Sequence, residues 1–395
     1  MTASAALWPE VREFERALVT VLNAAIHPMM ARYYSGLEDR LAALGFTGRL
    51  AIATSNGGTV GVATARARPI DTLLSGPAAG VAAAARLAAE TGVDRTITVD
   101  MGGTSSDMSV ARDGRPEFTT QTMIGDHPVI VPAVNVWAIG AGGGSILWVD
   151  PQGLLKVGPQ SAGADPGPVA YGRGGTEATV TDCYLVLGFI DPDRFLGGRM
   201  PLDKAAARSA LATLGERIGF KGDDAAERTA GAALRIATAK MASEIGKGMA
   251  SRGLDPASFT LVPYGGAGPT HAALLAEAAR IGAILIPPAP GTFCAFGTAT
   301  GALRRDFARS RRVSLGSNAG AATTLLSTLR ALEEDAQSWL KEELAAPDSV
   351  RLERFADMQY PRTATELTVA IPEDLAKGAD AAALAELFHV EHTNR

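Results

Sequence analysis

The sequence predicts an α/β protein, on three observations. Short apolar, β-prone runs alternate with longer segments of helical periodicity, the order expected of strands and helices layered on one another. Two of the apolar runs lead into glycine turns, Asp100-Met-Gly-Gly-Thr104 and Tyr264-Gly-Gly-Ala-Gly268. No apolar run approaches the ~20 residues that span a bilayer, and no internal repeat or low-complexity tract points to another class.

From Pro9 to Leu44 the pattern is helical, with Val11, Phe14, Leu18, Val21 and Leu22 at spacings of three and four. A β run, Leu50 to Ala53, breaks at the turn signal Ser55-Asn-Gly-Gly58. After Ser75-Gly-Pro77 the alanine-rich stretch Ala78 to Thr91 favours a tightly packed helix. Residues 95–111 read as two strands around Gly-Gly-Thr, a hairpin with a tight loop. Strand and loop continue to about residue 190, with glycine runs at 140–144 and 172–175. Helices are predicted over 203–218 and 224–251, then a strand at Phe259–Pro263, a helix at Pro269–Ile281 and a strand at Ala283–Ile286. Composition shifts near residue 315, beyond which a charged helix (320–346), a strand (351–360) and a helix from 381 to Arg395 are expected.

A chain of 395 residues accommodates about two or three domains. With 47% apolar and 20% charged residues it reads as a soluble globular protein. A net charge of −5, from 37 basic and 42 acidic residues, gives no footprint for nucleic acid. The densest basic stretch, Arg304, Arg305, Arg309, Arg311 and Arg312, reads first as a solvated face or interface and second as a phosphate patch. Two distant cysteines, Cys183 and Cys294, exclude a disulfide framework and a cysteine zinc site. They fit a reducing compartment, and Met1 to Glu10 lacks a signal-peptide layout, so a cytoplasmic protein without a membrane anchor is expected.

The chemistry concentrates in the glycine loops. In Asp100-Met-Gly-Gly-Thr-Ser-Ser-Asp107, glycine backbone can close on a phosphate while Thr104, Ser105 and Ser106 add hydroxyl donors. Asp100 and Asp107 are unsuited to touching phosphate; they suit Mg²⁺, its waters, or a base that orients a nucleophile. The competing reading is a hairpin turn capped by aspartate. The loop at Gly265, Gly266 and Gly268 brings backbone close to a planar or anionic group at a helix N-terminus, and His271 behind it reads as a packed or capping histidine. Gly140-Ala-Gly-Gly-Gly-Ser145 either cradles a ligand or forms a bend. The stretch 161–182 is too rich in glycine and proline for regular structure, and long irregular stretches are commonly functional. Within it Asp165 and Asp182 are candidate metal or substrate contacts, or turn caps, and Lys156 and Arg173 either offset phosphate charge or lie on the surface. Among five histidines no Ser-His-Asp series or metal-spaced pair emerges; His389 and His392 read as a solvated pair.

The order Glu15-Arg16, Val21-Leu-Asn-Ala24, Ser55-Asn-Gly-Gly58, Leu74-Ser-Gly-Pro-Ala-Ala-Gly80, Asp100 to Asp107, Gly140 to Ser145, Ser161-Ala-Gly-Ala-Asp-Pro-Gly-Pro168 and Tyr264 to Pro269 resembles the hydantoinase A, 5-oxoprolinase and acetone carboxylase β-subunit family. The likeness weakens after about residue 315, and its most specific part is 161–182, which sets it apart from sugar kinases and Hsp70-like chaperones. The resemblance implies the ATPase fold of actin, Hsp70 and sugar kinases, with residues 1–92 ending a first lobe, 93–315 forming a second, and 316–395 opening a C-terminal region. It implies ATP and Mg²⁺ as cofactors and Asp100 and Asp107 as catalytic residues that hold the metal's waters; the metal contacts expected are then Asp100 and, from the residue reading above, Asp182. Gly102, Gly103, Thr104 and Ser105 would form the second phosphate loop, and Gly265, Gly266 and Gly268 the adenosine loop.

The activity so implied is an ATP-dependent hydrolase subunit that opens a hydantoin, 5-oxoproline or similar lactam by phosphorylating its carbonyl. A B-type (α) subunit would be its partner in a hetero-oligomer. An acetone-type ketone carboxylase β-subunit is the alternative. Family members also carry a first Asp-x-Gly-Gly-Thr loop upstream and continue further downstream, so the resemblance implies a chain truncated at both ends. A non-catalytic or split-gene fragment that binds a partner subunit is therefore the third reading. Asn135-Val-Trp137 stands where the family carries an acidic residue, and Gln359-Tyr-Pro-Arg-Thr363 replaces an Arg-Tyr-x-Gly-Gln pattern.

Overall fold

Residues 2–9, 13–124, 127–315, 320–343, 350–363, 366–378 and 380–393 are described by the structure, a computed structural model. The helix expected from Pro9 to Leu44 is the 31-residue α2 (Glu13–Ala43), preceded by a short α1 (Ser4–Leu7), with Val11 outside the described residues. Its periodicity marks the right element but not a fully covered face: Val19, Asn23 and Tyr34 are buried, while Phe14 and Val21 are exposed. A hairpin follows, β1 (Ala51–Ala53) and β2 (Thr59–Gly61). Its turn is tied by Thr54 Oγ1 donating to Asn56 Oδ1 at 2.7 Å, and Gly57 takes the left-handed φ of +76° that glycine tolerates. Helices α3 (Val62–Ala67) and α4 (Ser75–Glu90) complete this part.

Strands β3 (Arg95–Met101) and β4 (Ser106–Arg112) form the expected antiparallel hairpin, with Asp100 opposite Asp107. Short β5 (Arg115–Pro116) extends it. The hairpin β6 (Phe118–Ile124) and β7 (His127–Val134) leaves this sheet, and β8 (Val136–Ile139) returns to pair with β4. A further hairpin, β9 (Ser145–Val149) and β10 (Leu155–Ser161), precedes helices α5 (Val180–Val186), α6 (Lys204–Arg217) and α7 (Ala225–Ala250). Strand β11 (Thr260–Tyr264) runs parallel to β3 and leads into α8 (Gly268–Ala278). Strand β12 (Ala283–Ile284), shorter than expected, closes that edge before α9 (Phe293–Ala299).

The main sheet therefore runs β12-β11-β3-β4-β5, with β8 also on β4. Side chains alternate across it. Ile97, Val99, Met101 and Leu261 join a large buried core with α5, α6, α7 and α8. On the opposite face Ala83 and Ala84 of α4 and Phe293 of α9 cover Val262 and Tyr264. The alanine-rich composition of α4 allows this close approach. A Cβ on Gly80 would lie 2.7 Å from Cys294 Sγ, and one on Gly297 would meet Ala79 O.

The expected boundary at 92/93 is bridged. Val129, Ile130 and Val131 of β7 bury against Leu7, Trp8, Val19 and Ile70, and Leu303 and Phe307 pack onto Tyr34, Val60 and Trp339. Beyond residue 315 come α10 (Ala321–Glu343), the antiparallel pair β13 (Phe355–Met358) and β14 (Leu367–Ala370), α11 (Glu373–Lys377) and α12 (Ala381–Thr393). Residues 344–346 of the predicted helix and 394–395 at the end lie outside the described residues. His389 and His392 are not simply solvated: both rings pack on Tyr360, whose hydroxyl lies 2.8 Å from His389 Nδ1. Among the described residues no helix is long and apolar enough to cross a membrane.

Candidate functional site

Three glycine loops meet at the turn of the β3–β4 hairpin. The turn between the strands closes with Gly102 N donating to Ser105 O at 3.0 Å. Among the described residues the N–H groups of Gly103, Thr104 and Ser105 and the hydroxyls of Thr104 and Ser105 have no hydrogen-bond partner. Gly103 and Thr104 are exposed. A cluster of free N–H groups at a turn is an anion-binding nest.

The loop at 140–145 plays a different part from the cradle its glycines suggest. Residues 141–145 are buried, and their N–H groups are spent inward. Gly143 N donates to Gly102 O at 2.9 Å and Gly144 N to Gly103 O at 2.6 Å. A Cβ on Gly142 would sit 2.7 Å from Gly103 C and O and 2.8 Å from Thr104 C. The glycines let one backbone lie directly against another, so this loop buttresses the turn from behind. Thr181 holds the buttress in turn, its N and Oγ1 both donating to Gly143 O at 2.7 and 2.8 Å. Ala162 N donates to Gly144 O at 2.9 Å, so the irregular 161–182 stretch forms the next layer.

The third loop passes beside Asp100. Ala267 N donates to Met101 O at 2.9 Å. Gly265 has φ +82°, and a Cβ there would fall 2.3 Å from Asp100 Oδ1, so only glycine fits on both counts. Gly266 is exposed to open space, while Gly268 is buried at the start of α8, against Val99 O.

Asp100 and Asp107 face each other across the hairpin ends, both half-buried. Neither makes an ion pair among the described residues. Burial raises both carboxyls above the usual range, offset at Asp100 by a hydrogen bond from Cys294 and reinforced at Asp107 by the charge of Asp100. Cys294 Sγ donates to Asp100 Oδ2 at 3.2 Å, and burial followed by that carboxylate pushes its thiol up to about 12. Two half-buried oxygen donors without a counter-charge fit a hard cation such as Mg²⁺. No cluster of three or more metal-binding side chains occurs among the described residues, so water or phosphate oxygens would complete its shell.

Asp182 requires a correction. Its carboxylate is fully buried and accepts from Val169 N, Ala170 N, Thr179 N and Thr179 Oγ1, at 3.3, 2.8, 2.7 and 2.8 Å. It caps α5 and pins the 169–171 turn, and its oxygens are committed to four donors. That is a structural cap rather than a metal contact. Asp165 is exposed, without a hydrogen bond or ion pair among the described residues. Lys156 pairs with Asp150 at 3.3 Å, and Arg173 lies over Tyr171. Lys240 instead reaches the buttress, donating to Gly140 O at 3.1 Å. His271 is packed, as expected, with Nδ1 2.8 Å from Tyr184 Oη and Nε2 3.1 Å from Thr238 Oγ1; burial lowers it to about 4. Cys294, Thr181 and Lys240 escaped the sequence reading because each touches the loops only through contacts between distant segments.

The mixed sheet with helices on both faces is an α/β architecture consistent with the actin-like ATPase fold. The chain belongs to the hydantoinase/oxoprolinase family, whose model matches residues 16–307. It is 34% identical over 388 residues to the caprolactamase subunit alpha of Pseudomonas jessenii, covering 98% of this chain and 55% of that protein. The crystal structure of the ATP-dependent caprolactamase from that organism superposes with a TM-score of 0.84 over 99% of this chain and 56% of its own. The nucleotide-free structure of an acetone carboxylase, studied for ATP-dependent acetone carboxylation, gives a TM-score of 0.76 at 26% identity, covering 99% of this chain and 56% of that one. The chain thus spans about half the length of these relatives.

Proposed function

We propose that this chain carries a phosphate-binding half of an ATP-dependent hydrolase that opens a cyclic amide, acting with a B-type partner subunit. The observation that carries the reading is the 103–105 turn, with its acceptor-free N–H groups and hydroxyls beside two carboxylates without a counter-charge. ATP with Mg²⁺ would supply the phosphoryl group that activates the amide carbonyl, the cation lying at Asp100 and Asp107.

The chain's own residues account for the rest. Gly103, Thr104 and Ser105 present donors preorganised by the buttress at 142–144, so no reorganisation is needed as negative charge builds on the oxygens they hold. The Cys294 thiol, kept protonated by burial, fixes the rotamer of Asp100 through its hydrogen bond. Gly265 clears the space that Asp100 occupies, and open space at Gly266 leaves room for the nucleoside. The higher likeness to a caprolactamase than to an acetone carboxylase supports the lactam over the ketone as substrate. Ketone carboxylation is the second reading, supported by the acetone carboxylase likeness.

Calorimetry of ATP binding with Mg²⁺ and with EDTA, on the chain and on Asp107→Asn, tests the site. Binding that needs Mg²⁺ and weakens at least ~10-fold in the variant is expected, since two anionic carboxylates fall to one. Equal binding by both proteins would remove the carboxylate pair from the mechanism. With a B-type subunit added, ATP turnover stimulated by caprolactam or 5-oxoproline, against acetone with bicarbonate, separates the two substrates.

A further inference from the structure

The arginine stretch after residue 303 takes no part in the glycine-loop site. It runs back across the N-terminal segment, where Leu303 bridges to Thr59, Arg304 N donates to Thr59 O at 3.0 Å and Asn56 Nδ2 donates to Asp306 Oδ2 at 2.7 Å. Between these segments lies a small cavity of about 20 Å³ whose charged lining is Arg68, Asp71, Arg304, Arg305 and Asp306, with Trp8 on its wall. That is room for an oxygen-sized group or two, with the remainder of a ligand toward solvent.

The charges around it do not balance locally. Arg68 is paired to Asp71 through Nε at 2.7 Å and through Nη2 at 3.2 Å. Arg304 lies 3.6 Å from Asp306 and over the Phe118 ring. Arg305 stacks on Phe307 at 4.8 Å and Trp339 at 5.9 Å, yet makes no hydrogen bond or ion pair among the described residues. Asp71, then Glu343 and Glu342, favour its charge without touching it, and Asp71 is taken by Arg68 while Glu343 is taken by Thr64 Oγ1 at 2.6 Å and Trp339 Nε1 at 3.1 Å. Burial, then the neighbouring charge of Arg68, works against the Arg305 cation. Trp8 Nε1, on a residue 4% exposed, also lacks an acceptor. Two residues whose side-chain donors lack acceptors, Trp8 and the half-buried Arg305, thus line one cavity.

We propose that this cavity binds a small oxyanion, a carboxylate or a phosphate group, through the Arg305 guanidinium and the Trp8 indole N–H. A planar guanidinium resting on aromatic rings offers forked donors to such a group. The bound anion would lock residues 303–310 onto the N-terminal segment. The proposal is independent of the glycine-loop reading.

The chain has four tryptophans, so the indole N–H resonances report the cavity separately from the glycine loops. The Trp8 resonance is assigned by its loss in Trp8→Phe, and the chain is titrated with sodium phosphate or sodium acetate against sodium chloride at matched ionic strength. A saturable shift of the Trp8 resonance is expected with at least one oxyanion and not with chloride. A response to phosphate alone or to acetate alone identifies the source. The shift should weaken at least 10-fold in Arg305→Gln and persist in Arg309→Gln, which removes only an exposed ion pair with Asp335. Should Arg305→Gln not fold, Arg305→Lys, which keeps the charge but not the fork, is expected to bind more weakly. A Trp8 resonance that stays fixed in the wild-type chain, or moves equally in chloride or in the Arg305 variant, overturns the proposal.

Discussion

The buttress beneath the 103–105 turn allows a prediction that separates glycines alike in sequence. Gly142→Ala would place a methyl 2.7 Å from Gly103 C and O and 2.8 Å from Thr104 C, all of it backbone. Ordinary carbon contact begins near ~3.5 Å, so the turn would have to retreat by roughly 0.5–1 Å. Overpacking of this kind costs about 1–3 kcal/mol, less a few tenths recovered from the unfolded chain. Gly103→Ala is the matched control, because a Cβ there meets nothing within 4 Å. Thermal unfolding should show a fall of a few degrees for Gly142→Ala and little change for Gly103→Ala. Hydrogen exchange should also speed up at Gly143 and Gly144, whose N–H groups donate to the displaced carbonyls. In an active assembly a displacement of that size near the reacting groups costs on the order of 100-fold in rate. Equal stability and equal exchange in the two variants would refute the buttress.

Other tests follow from the same geometry. Asp182→Ala strips acceptors from four donors and should cost about 3–5 kcal/mol of stability; Mg²⁺ binding by whatever fraction stays folded should be unchanged. Loss of Mg²⁺ affinity instead would restore Asp182 as a metal contact. Burial lowers His271 to about 4 from an ordinary 6.5, so its neutral form belongs to the folded state. That contribution is complete above pH ~6.5 and lost as pH falls toward 4, with a slope of up to ~1.4 kcal/mol per pH unit. Urea midpoints of His271→Gln should show a flatter dependence between pH 6 and 4, and an unchanged slope would exclude this histidine as its source. Asp107→Asn removes a raised, buried carboxylate and its repulsion with Asp100, so in EDTA at pH 7 its Tm should rise; a fall would mean that Asp107 has a favourable partner.

Much was legible in the chain before any coordinates. The strand-turn-strand at 95–111 follows from β-prone residues around two glycines, and the register that sets Asp100 opposite Asp107 follows once the turn is tight. The alanines of 78–91 announce close packing, and α4 delivers it against α9 and β11. Glycine is informative in sequence because it marks where backbone must come close. It does not say to what. Gly103 opens toward solvent, Gly142 lies against Gly103, and Gly265 makes way for Asp100, although all three sit in similar-looking runs.

Partners across long separations were beyond reach for the same reason. Cys294 meets Asp100 across 194 positions, and nothing local to either residue encodes it. Asp182 has the residue type of a metal ligand, and only the arrangement of four donors around it makes it a cap. Local chemistry, turn type, strand pairing and helix propensity are set by neighbours in the chain, and the sequence by itself determined those. Which loops keep free N–H groups, and which carboxylates remain without a counter-charge, depends on how distant segments fill space around them, and only the tertiary structure decided that.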